Sequence, residues 1–219
     1  KDGEDTIIDV PFDDFLENLN AGFMVYFEAR RDKLILAFDG TWANLGAEVD
    51  GRFVDLDIEI QQKIYGIRVG FQAYRTEIGD VIEKPKFNYQ RLGVVDLFVG
   101  GRYFKTESLV TVIPPIGTER DISVGESRVD PFLGIRMAWD MSYRWAFGFN
   151  GDIGGFGIGD AAQFSWQAEA EFGFRVSRRV TIVGGYRHLE YDTVSGEGTN
   201  RNGTDFRQSG PIIGAGIRL

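Results

Sequence analysis

From Val129 to Gly154 the side chains alternate so strictly that few folds remain open to them. Val129, Pro131, Leu133, Ile135, Met137 and Trp139 take the odd positions, and so do Trp145, Phe147, Phe149 and Ile153 beyond a turn at Asp140–Tyr143. The even positions hold Asp130, Gly134, Arg136, Ala138, Arg144, Gly148, Asn150 and Asp152. Successive residues of a strand point to opposite faces, so this is a hairpin with one apolar face and one charged, glycine-rich face. Each arm matches the ~9–11 residues with which a tilted strand crosses a bilayer. Trp139, Tyr143 and Trp145 crowd the turn, where a membrane–water boundary favours aromatic rings.

The same alternation recurs along the chain. Ala21–Arg30 sets Phe23, Val25, Phe27 and Ala29 against Met24, Tyr26, Glu28 and Arg30, and a tight Arg31-Asp32 turn leads into Lys33–Leu45. Arg91–Phe104, Gln163–Val176, Val180–Asp192 and Asp205–Leu219 read alike. Val54–Arg75 changes phase, from Leu56, Ile58 and Ile60 at even positions to Ile67, Val69 and Phe71 at odd ones. A one-residue slip exchanges the faces, so a bulge near Gln61–Lys63 is expected, with a turn there as the alternative. Short connections (Arg31-Asp32, Asp140–Tyr143, Ser177–Arg179) and long ones (Thr106–Arg128, Gly155–Ala162, Thr193–Thr204) sort to opposite ends, the habit of outer-membrane barrels.

The expectation is an all-β, antiparallel up-and-down transmembrane β-barrel of 8–10 strands over residues 21–219. An N-terminal segment, 1–20, precedes it, with Thr6–Val10 as a short strand and Phe12–Leu19 as a short helix. Nine strands can be counted from Ala21, and bacterial single-chain barrels have even numbers, so ten is favoured. Residues 5–10, a division of 54–75 or a strand upstream would each supply the tenth.

Composition agrees. The 29 glycines among 219 residues are well above the usual ~7%, which suits turns and tight backbone approach. No apolar run reaches the ~18 residues of a membrane helix. A net charge of −9 speaks against nucleic acid as a partner, and the absence of cysteine excludes disulfides and thiolate chemistry.

Gly-x-Arg occurs six times, at Gly66/Arg68, Gly100/Arg102, Gly134/Arg136, Gly173/Arg175, Gly185/Arg187 and Gly216/Arg218. Both residues share a strand face, so the glycine leaves room for a guanidinium inside a narrow tube. The expected lumen network comprises Arg68, Arg102, Arg136 and Arg187 with Asp39, Asp96, Asp130, Asp152, Glu169 and Glu171. Carboxylates match the guanidinium fork, and a buried charge left unpaired is costly. A soluble barrel with the aromatic face inside is the rival. The apolar face carries too many Trp and Phe for one small interior, and the polar face lacks the Lys and Thr of a solvated exterior.

The run Val10-Pro11-Phe12-Asp13-Asp14-Phe15-Leu16-Glu17-Asn18-Leu19, with Gly22-Phe23-Met24 and Phe27-Glu28-Ala29-Arg30, resembles a family of small Gram-negative outer-membrane, porin-like β-barrel proteins. The likeness continues through Trp42-Ala43-Asn44-Leu45, Val129-Asp130-Pro131, Gly151-Asp152-Ile153-Gly154-Gly155-Phe156-Gly157 and Gly184-Gly185-Tyr186-Arg187. It implies a closed barrel in the outer membrane and a further strand ahead of the Val-Pro-Phe-Asp-Asp run. Such barrels commonly end on Phe, whereas this chain ends on Leu219.

Other motifs read as structural. His188, the only histidine, alternates onto the outward side, and a barrel hydrolase would need a Ser or carboxylate beside it. Asp55, Asp57 and Glu59 share a face but read as counter-charges rather than a cation site. Gly155-x-Gly157-x-Gly159 lacks the Lys-Ser/Thr of a phosphate cradle, and Asn202-Gly203 reads as a turn. Pro114-Pro115 caps a protruding tip, so 106–128 is the expected protein-contact loop. The expectation is therefore an integral outer-membrane protein in contact with lipid, structural or interactive in role, with no cofactor, metal or catalytic residue. A narrow channel is the alternative, and a membrane enzyme the second.

Overall fold

A computed structural model describes residues 6–10, 19–49, 55–84, 87–113, 120–195 and 202–218. Within them the chain forms ten strands: β1 (Thr6–Val10), β2 (Leu19–Arg31), β3 (Leu34–Val49), β4 (Asp55–Lys84), β5 (Phe87–Ile113), β6 (Arg120–Asp140), β7 (Trp145–Gly155), β8 (Phe164–Arg175), β9 (Val180–Ser195) and β10 (Asn202–Ile217). Strands β2 to β10 make one up-and-down antiparallel sheet of nine in chain order. β1 joins its far flank parallel to β10, pairing Thr6 with Thr204 and Val10 with Gln208. The tenth strand is thus present but runs with its neighbour, not against it, which corrects the expected ten-strand up-and-down order. Of the expected helix, residues 12–18 lie outside the described residues and Leu19 opens β2.

The long segment after Val54 is one continuous strand of 30 residues, neither divided nor bulged at Gln61–Lys63. Register against β5 is unbroken from Asp55 to Gln72, and the shifts fall at Gln72/Tyr74 and Ile78/Ile82. The phase change has another cause. Ile64 is buried on the same face as Gly66, Arg68 and Gly70, while Ile67, Val69 and Phe71 stand exposed on the other. The inner face itself changes from apolar to polar along the strand.

Thr106–Arg128 is likewise mostly strand, and only 114–119 lies outside the described residues. β4, β5 and β6 pair out to Asp55–Ile113 and Val112–Arg120, whereas β7 meets β6 only from Gly154–Phe132 onward. An extension of β4, β5 and β6, flanked by β3 out to Val49–Leu56, therefore projects from the long-connection end. Asn202 and Gly203 open β10 instead of forming a turn. At the other end, Asp32 takes a left-handed φ of 54° in the β2–β3 turn, a conformation that Asp tolerates better than most residues.

The register gives the inclination of the strands. One row of facing residues runs Leu34, Phe71, Leu97, Ile135, Gly151, Ala168, His188, Ser209. It starts beside the β2–β3 turn and finishes on β10 eight residues (217 − 209) from that strand's end at Ile217. Eight residues at ~3.3 Å against seven strand spacings at ~4.8 Å incline the strands by about 40°. The sheet is also strongly curled. Arg187 of β9 approaches Thr41 of β3 (3.4 Å) and Met24 of β2 (3.9 Å), although a flat sheet would hold β9 and β3 about 29 Å apart. The concave face gathers the charges, and the convex face carries Phe27, Leu34, Ile67, Val99, Leu133 and Phe172 exposed.

Candidate functional site

The concave side is the only place where buried charges collect among the described residues, and it is layered. In the middle, Arg68 pairs with Asp39 on the neighbouring strand, and Arg102 reaches Asp152 two strands away at 2.7 Å. Asp96 is 1% exposed and takes both Arg30 (2.6 Å) and Arg136 (2.7 Å). Arg136 also contacts Glu28, and the Tyr26 hydroxyl accepts from it at 2.9 Å. Of the expected network, Arg68, Arg102, Arg136, Asp39, Asp96 and Asp152 all meet here.

Asp130 is fully buried one layer higher, with Arg128 at 3.3 Å, and it accepts from the Ala162 backbone N–H at 2.9 Å. It therefore ties down the β7–β8 loop and does not serve Arg136. Arg187 departs from expectation as well, donating to the Gln167 amide oxygen at 2.7 Å. Glu169 and Glu171 line the same face but enter no ion pair among the described residues, and Glu171 lies against Gly148 instead. Tyr26, Glu28, Arg30, Arg128 and Gln167 belong to the network and were not singled out from sequence. Their alternation with Phe23, Phe27 and Val129 is the signal that could have found them.

Inward phenylalanines separate the guanidinium groups. Arg102 stacks over Phe132 at 4.8 Å and Arg136 over Phe98 at 5.4 Å. Arg128 sits between Phe104 (4.3 Å) and Tyr191 (4.0 Å). Cation–π contact of this kind holds a guanidinium where its edges lack carboxylate partners. Above it Ile64, Phe104, Ala162, Leu189 and Tyr191 form an apolar plug, with Phe206 packed against it. Below the network, at the short-turn end, a cavity of about 500 Å³ is lined by Tyr89, Tyr143, Arg175, Thr181 and Arg218, among others. Burial and a 2.6 Å hydrogen bond to Asp140 hold the Tyr89 phenol well above its usual pKa. Two of the six Gly-x-Arg pairs thus end at this mouth.

The glycines make room differently from the expectation. A Cβ on Gly66 would come within 2.5 Å of the Asp39 carboxylate, and on Gly134 within 2.7 Å of the Gly151 carbonyl. On Gly100 it would meet the Phe132 ring at 2.6 Å. Each glycine accommodates a side chain or backbone from the adjoining strand, not its own arginine.

On the convex side, Trp139 stacks with Phe147 (6.2 Å) and Trp145 packs at a tilt against Phe174 (5.0 Å) near the turn, as the alternation implies. Tyr143 turns instead toward Tyr89 and the lower cavity, because it lies in the turn itself, where alternation no longer applies. His188 faces outward beside Trp166, with Ser209 and Glu190 within hydrogen-bonding range. Neither neighbour was singled out from sequence, since β10 had to be paired with β9 first. Of the possible cation ligands, Glu59 is exposed, and the side chains of Asp55 and Asp57 lie outside the described residues, as does Pro114-Pro115. No group of three or more His, Cys, Asp or Glu arranged to hold a metal occurs among the described residues. No family model matches the chain, nor does any curated protein or solved structure.

Proposed function

We propose that the curled sheet closes into an outer-membrane barrel of the small porin-like kind and acts as a membrane-anchored scaffold whose interior is filled. One observation carries this reading. Convex aromatic residues lie in two bands: Phe23, Trp42, Tyr65 and Tyr103 in contact above, and Trp139, Phe147 and Phe172 below. Tyr103 faces Val129 and Gly93 faces Trp139, so ten residues separate the bands on β5 (103 − 93) and on β6 (139 − 129). At the inclination given above, that spacing is about 25 Å, the height of a barrel's lipid-facing apolar band. Leu97, Val99, Leu133 and Ile135 fill the interval.

The plug and the arginine network oppose conduction, since a pore needs continuous space and these side chains occupy it. The scaffold would present the β4–β6 extension, with exposed Leu109, Ile122 and Val124, to a protein outside the bilayer. Planar-bilayer recording of the purified, folded chain tests the filled interior. No stepwise conductance is expected, and stable ohmic steps would favour the second reading, a narrow channel entered through the lower cavity.

A further inference from the structure

Among the described residues, the convex wall carries a polar constellation at the level of the upper aromatic band that a lipid-facing surface does not need. The row of register that begins at Leu34 ends at the facing pair His188 and Ser209. Ser209 lies eight residues from the lower end of β10 (217 − 209), as Trp42 lies eight from the lower end of β3 (42 − 34), which puts both at the level of the upper aromatic band. The Ser209 hydroxyl is 2.6 Å from His188 Nδ1. On the far side of the ring, Nε2 faces Glu190 Oε2 at 3.4 Å. Glu190 is itself fixed by the Trp166 indole N–H (3.2 Å) and by Arg207 Nε (3.0 Å), and the Trp166 and His188 ring centroids are 4.5 Å apart. With the imidazole proton on Nε2, the histidine accepts from the serine and donates to the glutamate. These are the roles of nucleophile, base and orienting acid, which are recognised by geometry and not by position in the chain.

We propose that Ser209, His188 and Glu190 form an esterase site for the acyl esters of membrane lipids. The assignment rests on the proposed membrane placement, which sets the site among the headgroups and ester linkages of one leaflet. Ser209 Oγ attacks the ester carbonyl carbon as its proton passes to His188 Nδ1. The bond to the alcohol breaks, and the alcohol leaves with that proton. Water then attacks the acyl-serine, giving its proton to His188, and the serine is restored as the fatty acid departs. The net change is ester plus water to acid plus alcohol.

The test uses the full folded chain in mixed micelles and in vesicles of phosphatidylethanolamine and phosphatidylglycerol. A fluorophosphonate probe should add one phosphonyl group at Ser209, located by peptide mass spectrometry, and fatty acid should be released from the vesicles. Ser209→Ala should abolish labelling, and Ser209→Ala and His188→Asn should each lower release at least 100-fold, with Glu190→Gln lowering it less. Unchanged heat-modifiable gel migration would show that these outward substitutions leave the fold intact. No adduct on Ser209, or undiminished release from Ser209→Ala, overturns the proposal. Turnover of a short-chain, water-soluble ester without vesicle lipid turnover overturns the lipid assignment and counts against the membrane placement, not against the nucleophile.

Discussion

Asp96 shows what a single side chain does in this interior. It is buried between two guanidinium groups that also share Glu28, so removing it leaves two cations on a single carboxylate. Asp96→Ala should cost about 1.5–3 kcal/mol in urea unfolding, the range for losing hydrogen bonds to charged groups while Glu28 still holds both guanidiniums. The pair Arg102–Asp152 provides the complementary test. Either Arg102→Met or Asp152→Leu alone should destabilise, whereas the double substitution should be neutral or stabilising, because both charges leave a dry site together. Gly66 acts through space alone. Gly66→Ala should lower stability by about 1–3 kcal/mol and loosen Arg68, since the added methyl group pushes on the Asp39 carboxylate. At this scale sequence shows which residues face inward but not whom they meet. Asp130 and Arg136 are near in sequence on one face, yet Asp130 serves Arg128 and a loop while Arg136 turns to Asp96 across the β5–β6 pairing.

The strands were legible because alternation survives wherever one face is exposed and apolar and the other gathers charge. It misleads where the inner face changes character, as between Ile64 and Arg68 of β4, where a change in what fills the interior imitates a slip in register. The extension of β4, β5 and β6 went unread for a related reason. Beyond the plug none of the described side chains at 106–109, 111 and 122–127 is buried, so these stretches lose the two-faced pattern and their polar residues resemble a loop. Backbone pairing, invisible to hydropathy, holds them as strands. The extension should be separable from the rest. Replacing residues 107–125 with a short turn should leave heat-modifiable gel migration unchanged while removing any protein contact detected by crosslinking at Val124. Loss of the folded band would show the extension to be part of the core sheet.

At the scale of the molecule, nine antiparallel strands leave β2 and β10 as flanks that run in the same direction, with β1 parallel beside β10. Side chains bridge the curl from β9 to β2 and β3, which supports the proposed closure. The interior and the exterior then divide the work. In the proposed barrel, arginine, carboxylate and phenylalanine would hold the wall open from within without leaving a passage, and the aromatic bands would set its height in the bilayer. Val99 tests this most directly, because it is exposed on the convex face between the two bands and the chain contains no cysteine of its own. A nitroxide on Val99→Cys, in the protein reconstituted into vesicles, should collide with dissolved oxygen far more often than with a water-soluble nickel complex. The same label on Val124→Cys, in the projecting extension, should show the reverse. Equal nickel access at both positions would contradict the placement of this wall in lipid.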